Sequence, residues 1–306
     1  MIDSVLLIAF GGPTSRAEIR PFLENVTRGR SIPPERLEEV ARHYEQMPGG
    51  RSPLRELTQR QAAALRAGLE RAGLTLPVHV GMRNWHPYLH EALGEMAASG
   101  ARRALGIILS SLRTEASWDR YQRDVAEARA RVPGAPEVVY APEWRDHRLF
   151  TEAVADRASA ALEEIPRERR AWAPLVFTAH SVPLPMADAS PYVAELTESA
   201  VRVASLIRHK RWSIAYQSRS GSPRDAWLEP DIGDVIRSLA NDGERDLVVV
   251  PIGFVCDHVE VLYDLDVRAR AIADEHSVRL HRATTLNDHP KFVELLVELV
   301  TEHAGS

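Results

Sequence analysis

The chain has 306 residues, of which 44% are hydrophobic and 26% are charged, a composition typical of globular proteins with one or two buried cores. The formal net charge of −5 argues against nucleic acid as the main partner, and the single cysteine, Cys256, excludes disulfides within the chain and a cysteine-held iron–sulfur cluster. No apolar run reaches the roughly 18 to 20 residues of a membrane span, and the N-terminus lacks a basic signal-peptide segment, so we expect a cytoplasmic protein with no stable membrane insertion.

The first half of the chain alternates apolar strand patterns with helical patterns. Strands are predicted at residues 5–10, 77–82, 104–109 and 138–140. Helices are predicted at 15–25, from 34 to about 44, at 52–72, in the segment that ends near 99, around 118–121 and at 148–164. The charged segment 165–170, which contains Pro166, has the composition of a domain boundary.

The second half repeats this order. Strands are predicted at 175–178, 212–216, 247–252 and 278–280, with helices at 192–207, 232–240, from about 258 and from about 291. Connections of roughly 20 or more residues between successive strands imply parallel sheets. The prediction is therefore an α/β fold of two similar domains, residues 1–168 and 169–306, that face each other across a cleft.

An acidic cluster follows the strand predicted at 247–252. In an α-helix that begins near Asp257, the residues Asp257, Glu260 and Asp264 occupy positions i, i+3 and i+7 on one face, with His258 beside them. Open α/β sheets bind ligands at the carboxyl ends of their strands, which is where this cluster lies. Acidic residues in a first helical turn are equally explained by capping and by the helix dipole, so both interpretations stay open.

A histidine and a glutamate lie at the ends of two strands of the second half. His180 ends that half's first strand, and Glu260 comes just past its third. If the two strands are neighbours in a parallel sheet, both side chains reach the same crevice. They could then act as acid and base or bind a divalent metal, although a histidine at a strand end is also a common structural residue.

Seven short motifs lie in order along nearly the whole chain. They are Phe10-Gly-Gly-Pro13, Ser52-Pro-Leu54, Gly81-Met-Arg-Asn-Trp-His-Pro87, Thr178-Ala-His-Ser-Val-Pro183, Tyr216-Gln-Ser-Arg219, Trp227-Leu-Glu-Pro230 and the segment from Pro251 to Asp266. In this order they resemble the ferrochelatases, which insert ferrous iron into a porphyrin in haem b biosynthesis. The segment 20–30 is similar to the bacterial branch that metallates coproporphyrin III, with protoporphyrin IX as the alternative substrate.

The resemblance implies that the two domains are Rossmann-like, chelatase-type units, with the metal site in the second. It implies that His180 and Glu260 are the catalytic residues and the metal ligands, and that Asp257, His258 and Asp264 form a polar line behind them. The residues that the resemblance assigns to the porphyrin propionates are Tyr44, Ser52 and Tyr121, with Arg28 or Arg30 as additional charges.

The same resemblance implies a lyase whose partners are a porphyrin and ferrous iron. It implies no cofactor beyond the Fe²⁺ substrate and no iron–sulfur cluster, and we expect a monomer. A base with a pKa near neutrality suits the removal of pyrrole protons, and nearby carboxylates attract the incoming dication.

The sequence departs from the family pattern at several positions. Phe10 replaces a tyrosine that could ligate the product iron, and Thr27 and His43 stand where some bacterial relatives have arginine. The loop 110–118 lacks the aromatic run of many members. These departures concern mainly the residues that the resemblance assigns to the propionates.

Two other functions remain as alternatives, and a third is disfavoured. The chain could be a cobalt or nickel tetrapyrrole chelatase, or a haem- or metal-binding protein without turnover. A nucleotide-binding Rossmann enzyme is disfavoured, because Gly11-Gly12-Pro13 is not a Gly-x-Gly-x-x-Gly motif and Pro13 has no amide hydrogen for a phosphate.

Overall fold

The fold was analysed in a computed structural model, which describes residues 1–29, 32–220 and 225–305. Within these residues, the strands form two four-stranded sheets. The strands are β1 (Ser4–Ala9), β2 (Val78–Met82), β3 (Arg103–Ile108), β4 (Glu137–Tyr140), β5 (Leu175–His180), β6 (Trp212–Gln217), β7 (Asp246–Val250) and β8 (Arg279–Arg282).

Helices connect these strands. The α-helices are α1 (Ile19–Val26), α2 (Pro34–Glu45), α3 (Leu54–Arg71), α4 (Leu89–Ala98), α5 (Arg120–Ala130), α6 (Arg148–Glu163), α7 (Arg167–Arg170), α8 (Leu184–Asp188), α9 (Tyr192–Leu206), α10 (Ile232–Asn241), α11 (Val259–Val261), α12 (Arg270–Glu275) and α13 (Pro290–Ala304). Two short 3₁₀ helices (Arg16–Glu18 and Pro48–Gly50) and two π-helices (Glu115–Asp119 and Leu262–Ala269) complete the set. In the part of the chain that is described, no helix has both the length and the apolar character needed to cross a bilayer.

The two sheets have the same topology. The strand orders are β2-β1-β3-β4 and β6-β5-β7-β8, and every neighbouring pair is parallel. The strands β1 and β7 are buried along their whole length, as expected for central strands covered by helices on both faces. The predicted α/β class, with two parallel four-stranded sheets flanked by helices, is confirmed.

The sheets and their helices form two compact units. Unit 1 comprises Met1–Leu109, Ala116–Glu143 and the segment from Asn287, and unit 2 comprises Ser110–Glu115 and Trp144–Leu286. A single division at residue 168 does not separate these units. Helix α6 packs against α9 and β7 in unit 2, whereas α13 packs against α3 in unit 1.

Each unit has its own apolar core. In unit 1, Ile8 of β1 shares a buried cluster with Leu93 of α4 and Val125 of α5. In unit 2, Val249 of β7 shares a buried cluster with Ile236 of α10. Helices therefore pack on the faces of both sheets, and loops follow the carboxyl ends of the strands.

Candidate active site

The predicted histidine and glutamate lie at the carboxyl edge of the unit 2 sheet. His180 is the last residue of β5, and β7, which leads to Glu260, is its neighbour in the sheet. After β7 the chain turns back towards β5, where the Gly253 amide donates to the Thr178 carbonyl at 3.1 Å. A Cβ atom on Gly253 would come within 2.6 Å of the Ala179 Cβ, so this close approach beside His180 requires glycine.

The imidazole of His180 and the carboxylate of Glu260 face each other. The distance from His180 Nε2 to Glu260 Oε1 is 3.6 Å, and the two side chains are 27% and 40% exposed. His180 Nδ1 is hydrogen-bonded to the Ser181 carbonyl oxygen. Because a carbonyl only accepts, Nδ1 carries a hydrogen, and Nε2 is the nitrogen that gains or loses a proton towards Glu260.

The pair has opposite pKa shifts. Burial alone would lower the pKa of His180, but the Glu260 carboxylate, the Ser181 carbonyl and the Asp264 carboxylate together raise it. Burial would raise the pKa of Glu260, but His180 and His258 lower it to about 2. Glu260 is therefore an anion at neutral pH, and it makes His180 a stronger base.

The acidic segment after β7 does not form the continuous α-helix that the sequence predicts. Asp257 precedes the helix, α11 spans only Val259–Val261, and a π-helix with wider turns continues from Leu262. The predicted common face of Asp257, Glu260 and Asp264 is therefore wrong. The Asp257 carboxylate forms an ion pair with Arg282 of β8 at 3.0 Å.

His258 caps the short helix α11. The Glu260 amide donates to His258 Nδ1 at 3.3 Å, so this nitrogen is an acceptor and the imidazole is neutral. Burial lowers the pKa of His258, in agreement with that state. The residue that caps this helix is therefore a histidine and not one of the acidic residues to which the capping interpretation applies.

Asp264 lies behind Glu260 and is nearly buried. The Ser218 hydroxyl donates to the Asp264 carboxylate, and its oxygen also lies 3.3 Å from the backbone carbonyl oxygen of Glu260. Burial and the charge of Glu260 outweigh the Ser218 hydrogen bond and raise the pKa of Asp264 to about 6. Asp264 can therefore exchange a proton close to neutral pH.

Three residues support the pair and were absent from the predicted site. Gln217, which lies beside His180 across β5 and β6, donates to the Glu260 carbonyl at 2.5 Å. The Ser218 hydroxyl donates to the Asp264 carboxylate, and the Tyr192 hydroxyl donates to the His180 carbonyl at 2.8 Å. Gln217 and Ser218 belong to Tyr216-Gln-Ser-Arg219, which is one of the seven motifs that resemble the ferrochelatases, so the sequence contained a signal for these two residues. No such motif includes Tyr192.

The predicted propionate contacts lie in unit 1. Tyr44 is buried with its ring edge-on to Phe22, and Tyr121 is buried under the guanidinium of Arg83, which lies 4.5 Å from the ring centroid. Ser52 is 4% exposed, and its hydroxyl oxygen accepts from the Leu54 amide at 3.3 Å.

Arg28 is exposed just beyond the end of α1, whereas Arg30 lies outside the described residues. Phe10 follows β1 and is 39% exposed, so an apolar ring lies at that edge of the unit 1 sheet. No group of three or more histidine, cysteine or acidic side chains that could hold a metal ion occurs within 1–29, 32–220 and 225–305.

Comparisons with known proteins agree with the motifs. A sequence profile described as ferrochelatase matches residues 3–304. The coproporphyrin III ferrochelatase of Mycolicibacterium smegmatis is 43% identical over 98% of this chain and 89% of its own length. The coproporphyrin III ferrochelatase of Mycobacteroides abscessus is 44% identical over 99% of this chain and 88% of its own, and a ferrochelatase of Rhodopirellula baltica is 40% identical over 99% and 86%.

Solved structures support the fold. The sirohydrochlorin chelatase SirB from Bacillus subtilis, solved with Fe³⁺, superposes with a TM-score of 0.59 at 13% identity, over 99% of this chain and 96% of that one. A cobalt complex of SirB from Bacillus subtilis subspecies spizizenii gives 0.57 at 14% identity, over 100% and 96%. The predicted family is confirmed, and the chain belongs to the ferrochelatases, the enzymes that insert ferrous iron into a porphyrin.

Proposed function

We propose that this chain inserts ferrous iron into coproporphyrin III, with His180 and Glu260 as its catalytic pair. The observation that carries the proposal is the 3.6 Å approach of an imidazole and an ionised carboxylate at the carboxyl edge of a parallel sheet. The names of the relatives from Mycolicibacterium smegmatis and Mycobacteroides abscessus support coproporphyrin III as the substrate.

The reaction exchanges two protons for one dication. The porphyrin releases two pyrrole N–H protons, Fe²⁺ enters the ring as the second substrate, and the product is the neutral metallated ring. In the proposed mechanism, neutral His180 accepts a pyrrole proton at Nε2, and Glu260 stabilises the resulting imidazolium. The raised pKa of His180 makes it an effective acceptor for this step.

The protons must then leave the pair. Asp264, with a pKa of about 6, is suited to receive them, because it exchanges protons near neutral pH. The Ser218 hydroxyl donates to the Asp264 carboxylate but reaches only the backbone carbonyl of Glu260, so it does not connect the two carboxylates. In the proposed mechanism Asp264, whose charge acts on His180, accepts the protons that His180 releases, and Glu260 attracts the incoming cation.

The porphyrin carboxylates are assigned to unit 1. In the proposed mechanism the propionate contacts are Tyr44, Ser52, Tyr121, Arg28 and Arg30, because hydroxyl and guanidinium groups are suitable donors for carboxylates. Arg28 is exposed and available for this role. The proposal includes a monomeric enzyme without a resident cofactor.

A parallel assay tests the proposal. Coproporphyrin III and protoporphyrin IX are each offered Fe²⁺, Co²⁺ and Zn²⁺ under anaerobic conditions, and the absorbance of the metallated product is followed. We expect the highest kcat/KM for coproporphyrin III with Fe²⁺. Binding of porphyrin without turnover would instead indicate a haem-binding protein, and insertion of Co²⁺ without insertion of Fe²⁺ would indicate a different chelatase.

A further inference from the structure

A short loop packs beside the candidate site of unit 2. This loop, Ser110–Glu115, belongs to unit 2, although Met1–Leu109 before it and Ala116–Glu143 after it belong to unit 1. Contacts within unit 2 therefore fix its position. The loop lies in the segment 110–118 that departs from the family pattern, so its attachment depends on residues particular to this chain.

The 110–115 loop packs on the turn that follows β7. The Ser111 hydroxyl donates to the Ile252 carbonyl at 3.3 Å, and a Cβ atom on Gly253 would lie 3.5 Å from the Leu112 Cδ1 atom. Both loop residues are buried. The loop is therefore in direct contact with residues 252–253, the β7 turn.

The β7 turn connects the two residues of the candidate pair. The Gly253 amide donates to the Thr178 carbonyl of β5 at 3.1 Å, close to His180 at the end of that strand. The same turn leads along the chain to Glu260. We therefore expect a shift of this turn to change the distance between the imidazole and the carboxylate.

A buried carboxylate attaches the 110–115 loop to α9. Glu195 of α9 is 1% exposed. Its Oε2 atom accepts from the Arg113 amide at 2.8 Å, and its Oε1 atom accepts from Arg113 Nε at 2.6 Å. One residue of the loop therefore binds both carboxylate oxygens, and the ion pair is strengthened because Glu195 is shielded from water.

The helix that carries Glu195 also contacts the site. Tyr192, in the same first turn of α9, donates its hydroxyl hydrogen to the His180 carbonyl at 2.8 Å. The start of α9 is therefore fixed to the end of β5. The ion pair between Glu195 and Arg113 connects the loop to this same start of α9.

We infer that Arg113, through its ion pair with Glu195, is a positioning residue for iron insertion. It holds the 110–115 loop against the β7 turn, and so keeps the Glu260 carboxylate facing His180. The inference rests on the proposed function, in which these two residues are the catalytic pair. A misplacement of about 1 Å at a reacting group can lower a rate about 100-fold, so support of this kind affects turnover.

The test compares R113Q with the wild-type enzyme in iron insertion into coproporphyrin III. We expect kcat to fall about 5- to 20-fold, and KM for the porphyrin to change less than about 2-fold. The fall is moderate because Gln217 still holds the Glu260 carbonyl. R113K keeps the charge but not the planar fork of donors, so its kcat should lie between those of R113Q and wild type. An unchanged kcat in R113Q would overturn the inference.

A double variant shows whether Arg113 acts through Glu260. In E260Q the charge that the loop places is already absent, so kcat of R113Q/E260Q should lie within about 2-fold of kcat of E260Q. A merely structural role of Arg113 would instead multiply the two losses. That result would contradict a positioning role.

R145Q is the matched control, because Arg145 Nε lies 3.5 Å from the same Glu195 carboxylate. Its shorter ion pairs are with Asp146 at 2.8 Å and Glu198 at 3.0 Å, and none of its ion pairs in the described part of the chain involves the 110–115 loop. Arg145 is 11% exposed, so R145Q should lower the thermal unfolding temperature at least as much as R113Q. Its kcat should stay within about 2-fold of wild type. Equal losses of kcat in the two variants would mean that stability alone explains them, and the inference would be wrong.

Hydrogen exchange separates the inference from the proposed function, since it requires no turnover. The Gly253 amide, which donates to Thr178, should exchange faster in R113Q than in wild type and R145Q. A wild-type protein that inserts no iron would overturn the proposed function, while Gly253 exchange still tests whether Arg113 holds the β7 turn. Equal Gly253 exchange in R113Q and wild type would overturn the inference.

Discussion

The first strands of the two sheets end in similar sequence patterns with different chemistry. In unit 1, Ala9 of β1 is followed by Phe10-Gly11-Gly12-Pro13, and in unit 2, Ala179 of β5 is followed by His180-Ser181-Val182-Pro183. Both strands hold the same position in sheets of the same order. Directly after this alanine, unit 1 has the apolar ring of Phe10 and unit 2 has the imidazole of His180.

The strands β2 and β6 are followed by the same backbone hydrogen bond in the two units. After β2 the chain returns through Pro87, whose carbonyl accepts from the Met82 amide at 2.8 Å, and after β6 it returns through Pro230, whose carbonyl accepts from the Tyr216 amide at 2.8 Å. Both prolines follow a cis peptide bond. The strand order and these hydrogen bonds are thus repeated in the two units, while the residues of the candidate site are not.

The third and fourth strands carry an ion pair of opposite polarity in the two units. Arg103 of β3 pairs with Glu137 of β4 at 3.3 Å, and both side chains are about half exposed. Asp246 of β7 pairs with Arg279 of β8 at 2.8 Å, and Asp246 is 4% exposed. The first paired residues of these strands therefore form an exposed ion pair in unit 1 and an ion pair with a buried carboxylate, Asp246, in unit 2.

The largest effect is expected from the strand-end residue of unit 2. H180A should reduce iron insertion about 100- to 10,000-fold, because it removes the proposed proton acceptor. Coproporphyrin III affinity and thermal unfolding should change little, since His180 is partly exposed. Steady-state assays with Fe²⁺, together with porphyrin fluorescence titration, measure both quantities.

The matched control is F10A, at the corresponding position of unit 1. It should change KM for the porphyrin more than kcat, because an apolar contact cannot move protons. Comparable losses of kcat in H180A and F10A would contradict the division of roles between the two strand ends. Full turnover in H180A would remove His180 from the mechanism.

The second prediction concerns the carboxylate that faces His180. E260Q should lower kcat about 10- to 100-fold, the size expected for loss of a charge-assisted contact, with little change in porphyrin affinity. E260Q should also shift the pH dependence of kcat/KM.

Glu260 raises the pKa of His180, and His180 must be neutral to accept a proton, so the rate rises with pH through that pKa. Without the carboxylate the pKa falls, and the rising limb shifts to lower pH.

The measurement is kcat/KM between about pH 5 and pH 8, the range in which histidine titrates. D257N provides a comparison, because Asp257 is paired with Arg282 and should leave the position of the limb unchanged. A limb that stays in place in E260Q would show that the titrating group is not coupled to Glu260.

Strand patterns predict much of this molecule, because buried parallel strands are short apolar runs that end at glycine, proline or a polar residue. They locate His180 at the end of one strand and Glu260 after another, but the structure is needed to show that the two strands are neighbours. They do not reveal the π-helix from Leu262, because periodicity does not report a change from i+4 to i+5 hydrogen bonds. Nor do they show that α13 packs in unit 1, since that depends on which apolar faces meet.

The smallest effects concern stability and the inverted ion pair. D246N should lower the free energy of unfolding by about 1.5–3 kcal/mol, the range for hydrogen bonds to a charged group. E137Q should lower it by less than about 1 kcal/mol, because an exposed pair is solvated and screened. Asp246 accepts from Arg279 at 2.8 and 3.0 Å and lies 3.4 Å from His281. Chemical denaturation at neutral pH measures both variants.

The pH dependence distinguishes the buried carboxylate from a packing effect. Burial would raise the pKa of Asp246, but Arg279, His281 and Arg169 lower it below its usual value. A carboxyl whose folded pKa is depressed stabilises the protein above its unfolded pKa, about 3.9, and loses that contribution as the pH falls through the folded pKa. The difference between wild type and D246N should therefore be largest near pH 7 and shrink near pH 3. A difference that is the same at both pH values would mean that the charge of Asp246 contributes nothing.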